Sequence, residues 1–381
     1  MVDQQTAEWI VTQRRHLHAH PELSHEEVQT RQYIEEQLKE LGLETLSLTG
    51  KDVIGILNGK ESGKTIGIRS DMDALPIHEE TGLPFASENE GVMHACGHDG
   101  HMSILLGVAR QLVERKDELD NTYVFLFQHA EETVPGGASE LIDKAFLYSL
   151  DAMIGYHLWQ PLEAGKFGFH EETPMAGADS FKITLQGVGG HGSMPHETVD
   201  PILVASQVIT QLHTIVSRSL NPIDQAVVSI GELTTGSSYN IIPDKAYLTG
   251  TVRYFKPEVA ERIKGRIQTI LKGVCTSFGA SFDLDYKQGD PPVQNDKRLV
   301  DIVKREAAEI YGEEQTVMMD PVLGSEDFSY YTEKIPSVYF FIGAHVNEFG
   351  HHHPKFDIEE KSLIDGVNLV TKAAIRIAKE L

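Results

Sequence analysis

The sequence predicts an α/β fold in which a domain of strands and helices is interrupted by a compact inserted domain. Three observations predict it. Apolar strand-like runs at 65–68, 123–128 and 152–156 each lead into acid or imidazole residues, as strands do when their C-terminal ends line a ligand crevice. From about residue 179 the order becomes strand-helix-strand-strand-helix-strand, a ferredoxin-like arrangement. After Pro291-Pro292 the alternation of the first part resumes. A chain of 381 residues is long for a single core, and two domains are the natural expectation.

The chain opens with two helical stretches, 6–19 and 24–41, separated by the break His20-Pro21-Glu22-Leu23. Ser24-His25-Glu26-Glu27 fits a capping box, and Gly42 closes the second helix. Alternating apolar residues at 53–57 and 65–68 read as strands. The second runs into Arg69-Ser70-Asp71-Met72-Asp73, so two acids stand at a strand end.

The densest stretch of chemistry is Met93-His94-Ala95-Cys96-Gly97-His98-Asp99-Gly100-His101. A thiolate and an imidazole two residues apart suit zinc and neighbouring divalent metals. Ile104, Leu105, Val108 and Leu112 follow at helical spacing, which places the cluster at the mouth of a helix. If other strands supply the remaining ligands, Cys96 and His98 are the pair needed, and Asp99 and His101 fall to support or helix capping.

The run 123–128 is the continuous apolar kind buried on both faces, and it leads into His129-Ala130-Glu131-Glu132. Paired acids are usually solvated. After a buried strand they can divide the work, one ligating a metal and one activating water. The run 152–156 delivers His157 in the same way. Gly136-Gly137 reads as a turn, since no Lys-Ser or Lys-Thr follows to make a phosphate cradle. Cys275, Trp9 and Trp159 read as core, with Trp159 near enough to His157 to wall a pocket.

In the inserted segment, Phe181, Ile183 and Leu185 alternate as a strand, followed by a helix at 200–218 and strands at 226–232 and 245–254. A helix at 257–278 and a strand at 281–286 complete it. The expected domains are therefore 1–178 with 291–381, and the insert 179–290. A helix at 297–311, the loop Gly324-Ser325-Glu326-Asp327-Phe328, a strand at 337–342, the run His351-His352-His353-Pro354 and a one-faced apolar helix at 359–381 follow.

Composition narrows the function. Hydrophobic residues at 40% and charged residues at 24% are ordinary for a soluble globular protein. A net charge of −24 argues against nucleic acid, which needs a basic footprint. Two cysteines exclude a disulfide framework. The first ten residues carry Asp3 and Glu8 and no basic-then-apolar block, and no apolar run approaches the ~20 residues of a membrane helix. The expectation is a cytoplasmic protein with no nucleic-acid or membrane partner.

Six motifs, in order, carry a resemblance: Ser70-Asp71-Met72-Asp73-Ala74-Leu75-Pro76, His94-Ala95-Cys96-Gly97-His98-Asp99, Ala130-Glu131-Glu132, Gly155-Tyr156-His157, Gly189-Gly190-His191-Gly192-Ser193 and His352-His353-Pro354. Together they resemble the hippurate hydrolase and N-acyl amino-acid amidohydrolase branch of the dinuclear-metal aminoacylase and carboxypeptidase family, over nearly the whole chain. The wider family has His at the position of Asp71 and an aspartate bridge; Asp71 and the Cys96/His98 pair mark the cysteine-containing branch.

The resemblance implies a metallopeptidase-type catalytic domain, with a mixed sheet flanked by helices, and an inserted lid and dimerisation domain in a homodimer or dimer-based oligomer. It implies two divalent ions, zinc, manganese, cobalt or nickel, held by Cys96, His98, Glu132, His157 and His352, with Cys96 as a candidate bridge and His353 as the alternative last ligand. His351 is left to a solvated loop. Glu131 is implied as the base, Asp73 as the carboxylate that orients a ligand, and His191 as a donor reaching across a dimer to the oxyanion. Asn240 and Arg253 are implied substrate contacts, the guanidinium suiting a free carboxylate. The implied reaction is hydrolysis of an N-acyl amino acid, acetyl, benzoyl or similar, to carboxylate and free amino acid. Two other readings stay open: Cys96 as nucleophile of a thiol hydrolase, and a non-catalytic metal-dependent binding protein.

Overall fold

The structure is a computed structural model, and it describes residues 1–60 and 63–381. The chain divides by its contacts into two compact units, Met1–Pro174 with Val293–Pro321 and Asp327–Leu381, and Met175–Pro292 with Val322–Glu326.

The first unit is built on an eight-stranded mixed sheet. Its centre is four parallel strands in the spatial order Thr122–Gln128, Thr65–Asp71, Ala152–Glu163 and Ser337–His345. Their side chains are buried almost throughout, as strands covered on both faces must be. Val53–Leu57 adds antiparallel on one side, followed by Glu44–Leu46. The short strands Phe167–Phe169 and Thr316–Met318 extend the other.

The helix His98–Val113 packs against Gln4–Ala19 and Lys361–Glu380. It is apolar or buried all round, which only a helix enclosed by others can be. Two glycines permit this. A Cβ on Gly107 would come within 2.6 Å of Val367 Cγ2, and one on Gly100 within 2.4 Å of Leu158 Cδ1. The core that results joins Ile10, Leu105, Phe125, Ile154, Phe340 and Val370, all buried.

One expected helix start is corrected. The second helix is Val28–Glu40, with Glu27 at its N-cap and no side-chain capping bond. The Glu22 carboxylate accepts from Gln29 N and Thr30 N instead, at 3.2 and 2.8 Å. Ser24 and Glu27, which resemble a capping pair, bond elsewhere: Ser24 Oγ donates to Asp73 Oδ2 at 2.6 Å, and Ala130 N donates to Glu27 Oε1 at 2.7 Å. Tertiary partners outcompete the local cap.

The second unit has a four-stranded antiparallel sheet in the order Ser281–Lys287, Gly177–Gln186, Lys245–Tyr254, Ala226–Thr235. With the helices Pro201–Leu212 and Pro257–Phe278 its chain order is β-α-β-β-α-β. Phe181, Ile183, Leu185, Val208, Leu248, Ile263 and Leu271 form its core, which also takes up Cys275. The helical stretch expected to reach Arg218 ends in α form at Leu212 and continues as a separate wider turn, Ile215–Ser219. Val322–Glu326 joins this unit because Ala176 N donates to Val322 O and Gly324 O, at 3.1 and 3.0 Å.

Candidate metal centre

The C-terminal ends of the parallel strands, with the helix start at His98, bring the chemistry together. The turn before that helix is made by Gly97, whose φ of 89° lies in the left-handed region, a conformation glycine adopts without strain. His98 and His101 then fall one turn apart on one side of the helix, their rings 5.3 Å apart.

Each imidazole is oriented from behind. His98 Nδ1 donates to the Asp73 carbonyl at 2.8 Å and lies 3.3 Å from Asp73 Oδ1, leaving Nε2 facing the site without a hydrogen-bond partner. Asp73 is itself fixed by Ser24 Oγ and by Glu132 N, at 2.6 and 2.9 Å. His157 Nδ1 donates to Leu158 O at 2.9 Å, which turns Nε2 to within 3.5 Å of Cys96 Sγ. A ring nitrogen tied to an acceptor while the other is free is how proteins prepare histidine for a metal. His101 does something else: its Nδ1 donates to Asp71 Oδ1 at 2.7 Å and its Nε2 accepts from Leu158 N at 2.9 Å, so both nitrogens are used.

The donor atoms form overlapping groups. Cys96, His98 and His157 offer ligand atoms all within 4.8 Å of one another, as do Cys96, Glu132 and His352, and His98, Glu131 and Glu132. Cys96, His98 and Glu132 each belong to two of these sets, so the sets interlock around these three side chains. Thiolate, imidazole and carboxylate are the donor types of zinc and its first-row neighbours. Buried atoms without partners support the fit. His98 Nε2 and Glu132 Oε1 lack hydrogen bonds, though Glu132 Oε1 lies 3.9 Å from His98 Nε2 and 3.3 Å from His352 Nε2.

Electrostatics point the same way. Burial would lower the pKa of His98, but Asp71, Asp73 and Glu132 overcome it and push the imidazole up to about 10. A pocket that holds a proton so strongly carries uncompensated negative charge, and a cation can take the proton's place. His157 is driven well below the ordinary value, by burial first and then by His101 and His351; it stays neutral, the form in which an imidazole can ligate a metal. Burial, Glu132, Glu131 and Asp71 push the Cys96 thiol well above its usual range. A cysteine nucleophile needs the opposite shift.

Behind the site, Asp71 is held by Arg69 Nη1 at 2.8 Å, while Arg69 Nη2 reaches Asp327 Oδ1 at 2.6 Å and Arg69 Nε donates to Gln128 Oε1 at 3.0 Å. Burial alone would raise the Asp71 carboxyl; His98, His101 and Arg69 outweigh it and hold it well below the usual carboxylate range.

The loop bearing the paired glutamates starts with Ala130 at a φ of 53°, a left-handed turn tied down by Glu27. Burial and the nearby Asp73 push the Glu27 carboxyl up to about 7. Among the adjacent histidines, the φ of 62° at His352 reverses the chain. His352 faces Glu132, while His353 stacks on Phe349 with ring centroids 4.5 Å apart. His351 is not the solvated residue expected. It packs between Trp159 and His157, at 4.8 and 5.1 Å between rings, accepts from Gln160 N at 3.2 Å, and is driven down to about 3 by burial, His101 and His352. Trp159 lies 5.6 Å from the His157 ring.

His191, Asn240 and Arg253 lie in the second unit. His191 and Asn240 meet at a small two-stranded antiparallel ladder, in which Ile241 pairs with His191 and Gly192 N donates to Asn240 O at 2.8 Å. His191 is exposed, and its Nδ1 is 2.8 Å from Ser193 Oγ. Arg253 is on the longer strand Lys245–Tyr254, where it donates to Thr251 Oγ1 and Val252 O.

Ser24, Glu27, Arg69, His101, His351 and Asp327 were not assigned these contacts from sequence. Two signals were present: the Ser24–Glu27 pair pointed to a helix cap, and the density of ligand-type residues around His98 pointed to His101 as support or helix capping without naming its partners.

The model of peptidase family M20/M25/M40 matches residues 67–376. The N-acetyl-L-cysteine deacetylase of Bacillus subtilis is 39% identical over 96% of this chain and 87% of its own length. The N-acyl-L-amino acid amidohydrolase of Geobacillus stearothermophilus is 44% identical over 75% of this chain and 78% of its own. The crystal structure of a dinuclear metal-binding peptidase of the M20 family from Bacillus subtilis superposes with a TM-score of 0.88, at 35% identity and full coverage of both chains.

Proposed function

This chain belongs to peptidase family M20/M25/M40, and from that premise we propose how it acts as a metal-dependent amidohydrolase of N-acyl amino acids, releasing carboxylate and free amino acid. One observation carries the reading: two donor sets, Cys96/His98/His157 and Cys96/Glu132/His352, meet at Cys96 beside the paired glutamates. The N-acyl amino-acid activity named for the relatives fits that site.

Cys96, His98, Glu132, His157 and His352 would hold two divalent ions. When bound, such ions supply Lewis acidity at a carbonyl and acidify water. Glu131 takes the water's proton and delivers it to the departing amine nitrogen. Its support is its place beside His98 and Glu132, with Glu132 facing His352. Asp73 keeps His98 in the tautomer that leaves Nε2 free. Trp159 and His351 wall the acyl side.

For the second unit we take the role of lid and dimerisation domain, with His191 reaching across a dimer to donate to the developing oxyanion, Asn240 contacting the substrate and Arg253 holding its carboxylate. We place the protein in the cytoplasm as a homodimer. Both cysteines are free thiols, and among the described residues no helix is long and apolar enough to cross a membrane.

The test is a panel of N-acetyl, N-benzoyl and related amino acids offered to metal-free protein reloaded separately with zinc, manganese, cobalt or nickel. Hydrolysis that requires reloading supports the reading. Activity that survives exhaustive chelation but is lost on thiol alkylation overturns it.

A further inference from the structure

A second group of ligand-type side chains, His25, His129 and Glu140, stands on the outer side of the loop that bears the paired glutamates. Their donor atoms all lie within 4.8 Å of one another. His129 is fully buried, and its Nδ1 has no hydrogen-bond partner. Its Nε2 faces Glu140 Oε2 at 3.4 Å, and its ring centroid is 5.7 Å from that of His25. A buried imidazole with one nitrogen unsatisfied and the other served only by a long contact is costly to keep.

The backbone is shaped around this group. His25 sits at a φ of 68°, a conformation that is uncommon outside glycine. Glu140 rides on the short helix Gly137–Leu141. That helix can lie against His129 only because residue 137 has no side chain: a Cβ there would fall 2.0 Å from the His129 carbonyl oxygen and 3.1 Å from His129 Cε1. The Gly136-Gly137 pair thereby acquires a packing reason.

The remaining neighbours are Lys51, whose Nζ lies 3.2 Å from Glu140 Oε1 and 3.5 Å from His25 Nδ1, and Thr133, whose Oγ1 lies 3.5 Å from His25 Nε2. Lys51 is a half-exposed side chain free to swing outward.

We infer that His25, His129 and Glu140 form a further divalent-metal site, of the zinc class, separate from the cluster around His98. Two imidazoles and one carboxylate with a fourth position open to water is a donor set zinc accepts. Binding displaces the Lys51 ammonium, which serves as the cation in the ion's absence. It joins three pieces of chain: the turn after the first helix, the end of the strand Thr122–Gln128 and the helix Gly137–Leu141. His129 lies two residues before Glu131, so the ion would brace the loop that carries the proposed base.

The experiment is equilibrium dialysis of the metal-loaded enzyme against graded free zinc, with zinc per chain counted for wild type, His25→Asn, Glu140→Gln and Lys51→Met. Asparagine tolerates the left-handed backbone at 25, and Glu140 is partly exposed, so both variants should fold and keep hydrolysis at low zinc. The expected result is that wild type takes up one equivalent that His25→Asn and Glu140→Gln lose or bind at least about tenfold more weakly, the scale on which even outer partners act. Lys51→Met should bind that equivalent more tightly than wild type, since a competing cation is gone. Equal zinc content and affinity in wild type, His25→Asn and Glu140→Gln overturns the site, as does weaker binding in Lys51→Met. The comparison is between proteins, so it stands whatever the number of ions at the catalytic cluster.

Discussion

His98 and His18 are both buried, and acids raise both, yet they are built for opposite ends. His18 is bonded on each nitrogen, Nδ1 to Asp99 Oδ2 at 2.8 Å and Nε2 to Glu79 Oε1 at 3.2 Å. Asp99 is further met by Arg14 Nε at 3.0 Å, and Arg14 by Asp357 Oδ1 at 2.6 Å. In that network the chain supplies its own cations. Around His98 it supplies carboxylates and leaves Nε2 without a partner. Neighbouring residues at one helix start thus divide between a cluster in which a guanidinium and an imidazole already meet the carboxylates and one whose open imidazole nitrogen a cation can take; His18 uses both of its ring nitrogens and His98 only one.

The comparison breaks first at the proposed base. Glu131→Gln should lower kcat by about 10²–10⁴-fold while the metal content measured by atomic absorption stays at the wild-type value. A variant as active as wild type would remove Glu131 from the chemistry. In the His18 cluster the effect should fall on stability. Arg14→Met breaks the buried pair with Asp99, leaving His18 as that carboxylate's remaining cation, and should cost about 3–5 kcal/mol in urea unfolding, with the bound metal retained by the fraction that stays folded.

Asp73 lies on the open side, where its loss should be felt through His98. Asp73→Asn should weaken metal binding by about 10–100-fold, read by competition with a chromophoric chelator. The smallest effect is on pH. Burial opposes protonation of His18, but Asp99 and Glu79 prevail and raise it from 6.5 to about 9. The folded protein therefore holds this proton more tightly than the unfolded chain. The stability it contributes is complete below pH 6.5 and is lost as pH rises through about 9. Urea midpoints measured across that window should decline in wild type and decline less in His18→Gln.

Much of this was legible in the sequence because buried parallel strands are apolar until they reach the crevice, where the composition changes abruptly. The ends at Asp71-Met72-Asp73, Glu131-Glu132 and His157 stand out for that reason. Cys96 and His98 stood out by density. What was hidden depends on distant partners. Ser24 and Glu27 satisfy a helix-cap pattern, and nothing local reveals that Asp73 and Ala130 N claim them. His351 could not be told from a surface histidine, because the left-handed turn at His352 that separates the three side chains is a backbone fact. The strands Phe167–Phe169 and Thr316–Met318 are too short for any alternation to show.

The two donor sets also differ in how firmly they are anchored. His98 begins a helix buried on every side and His157 lies within a central strand, whereas the His352 side chain is 52% exposed on a loop. Such an arrangement gives the site a fixed wall and an open door. Ions should exchange at unequal rates, the one that relies on His352 leaving first and the one gripped by His98 and His157 lingering until the fold itself loosens, so stopped-flow chelation should resolve two phases.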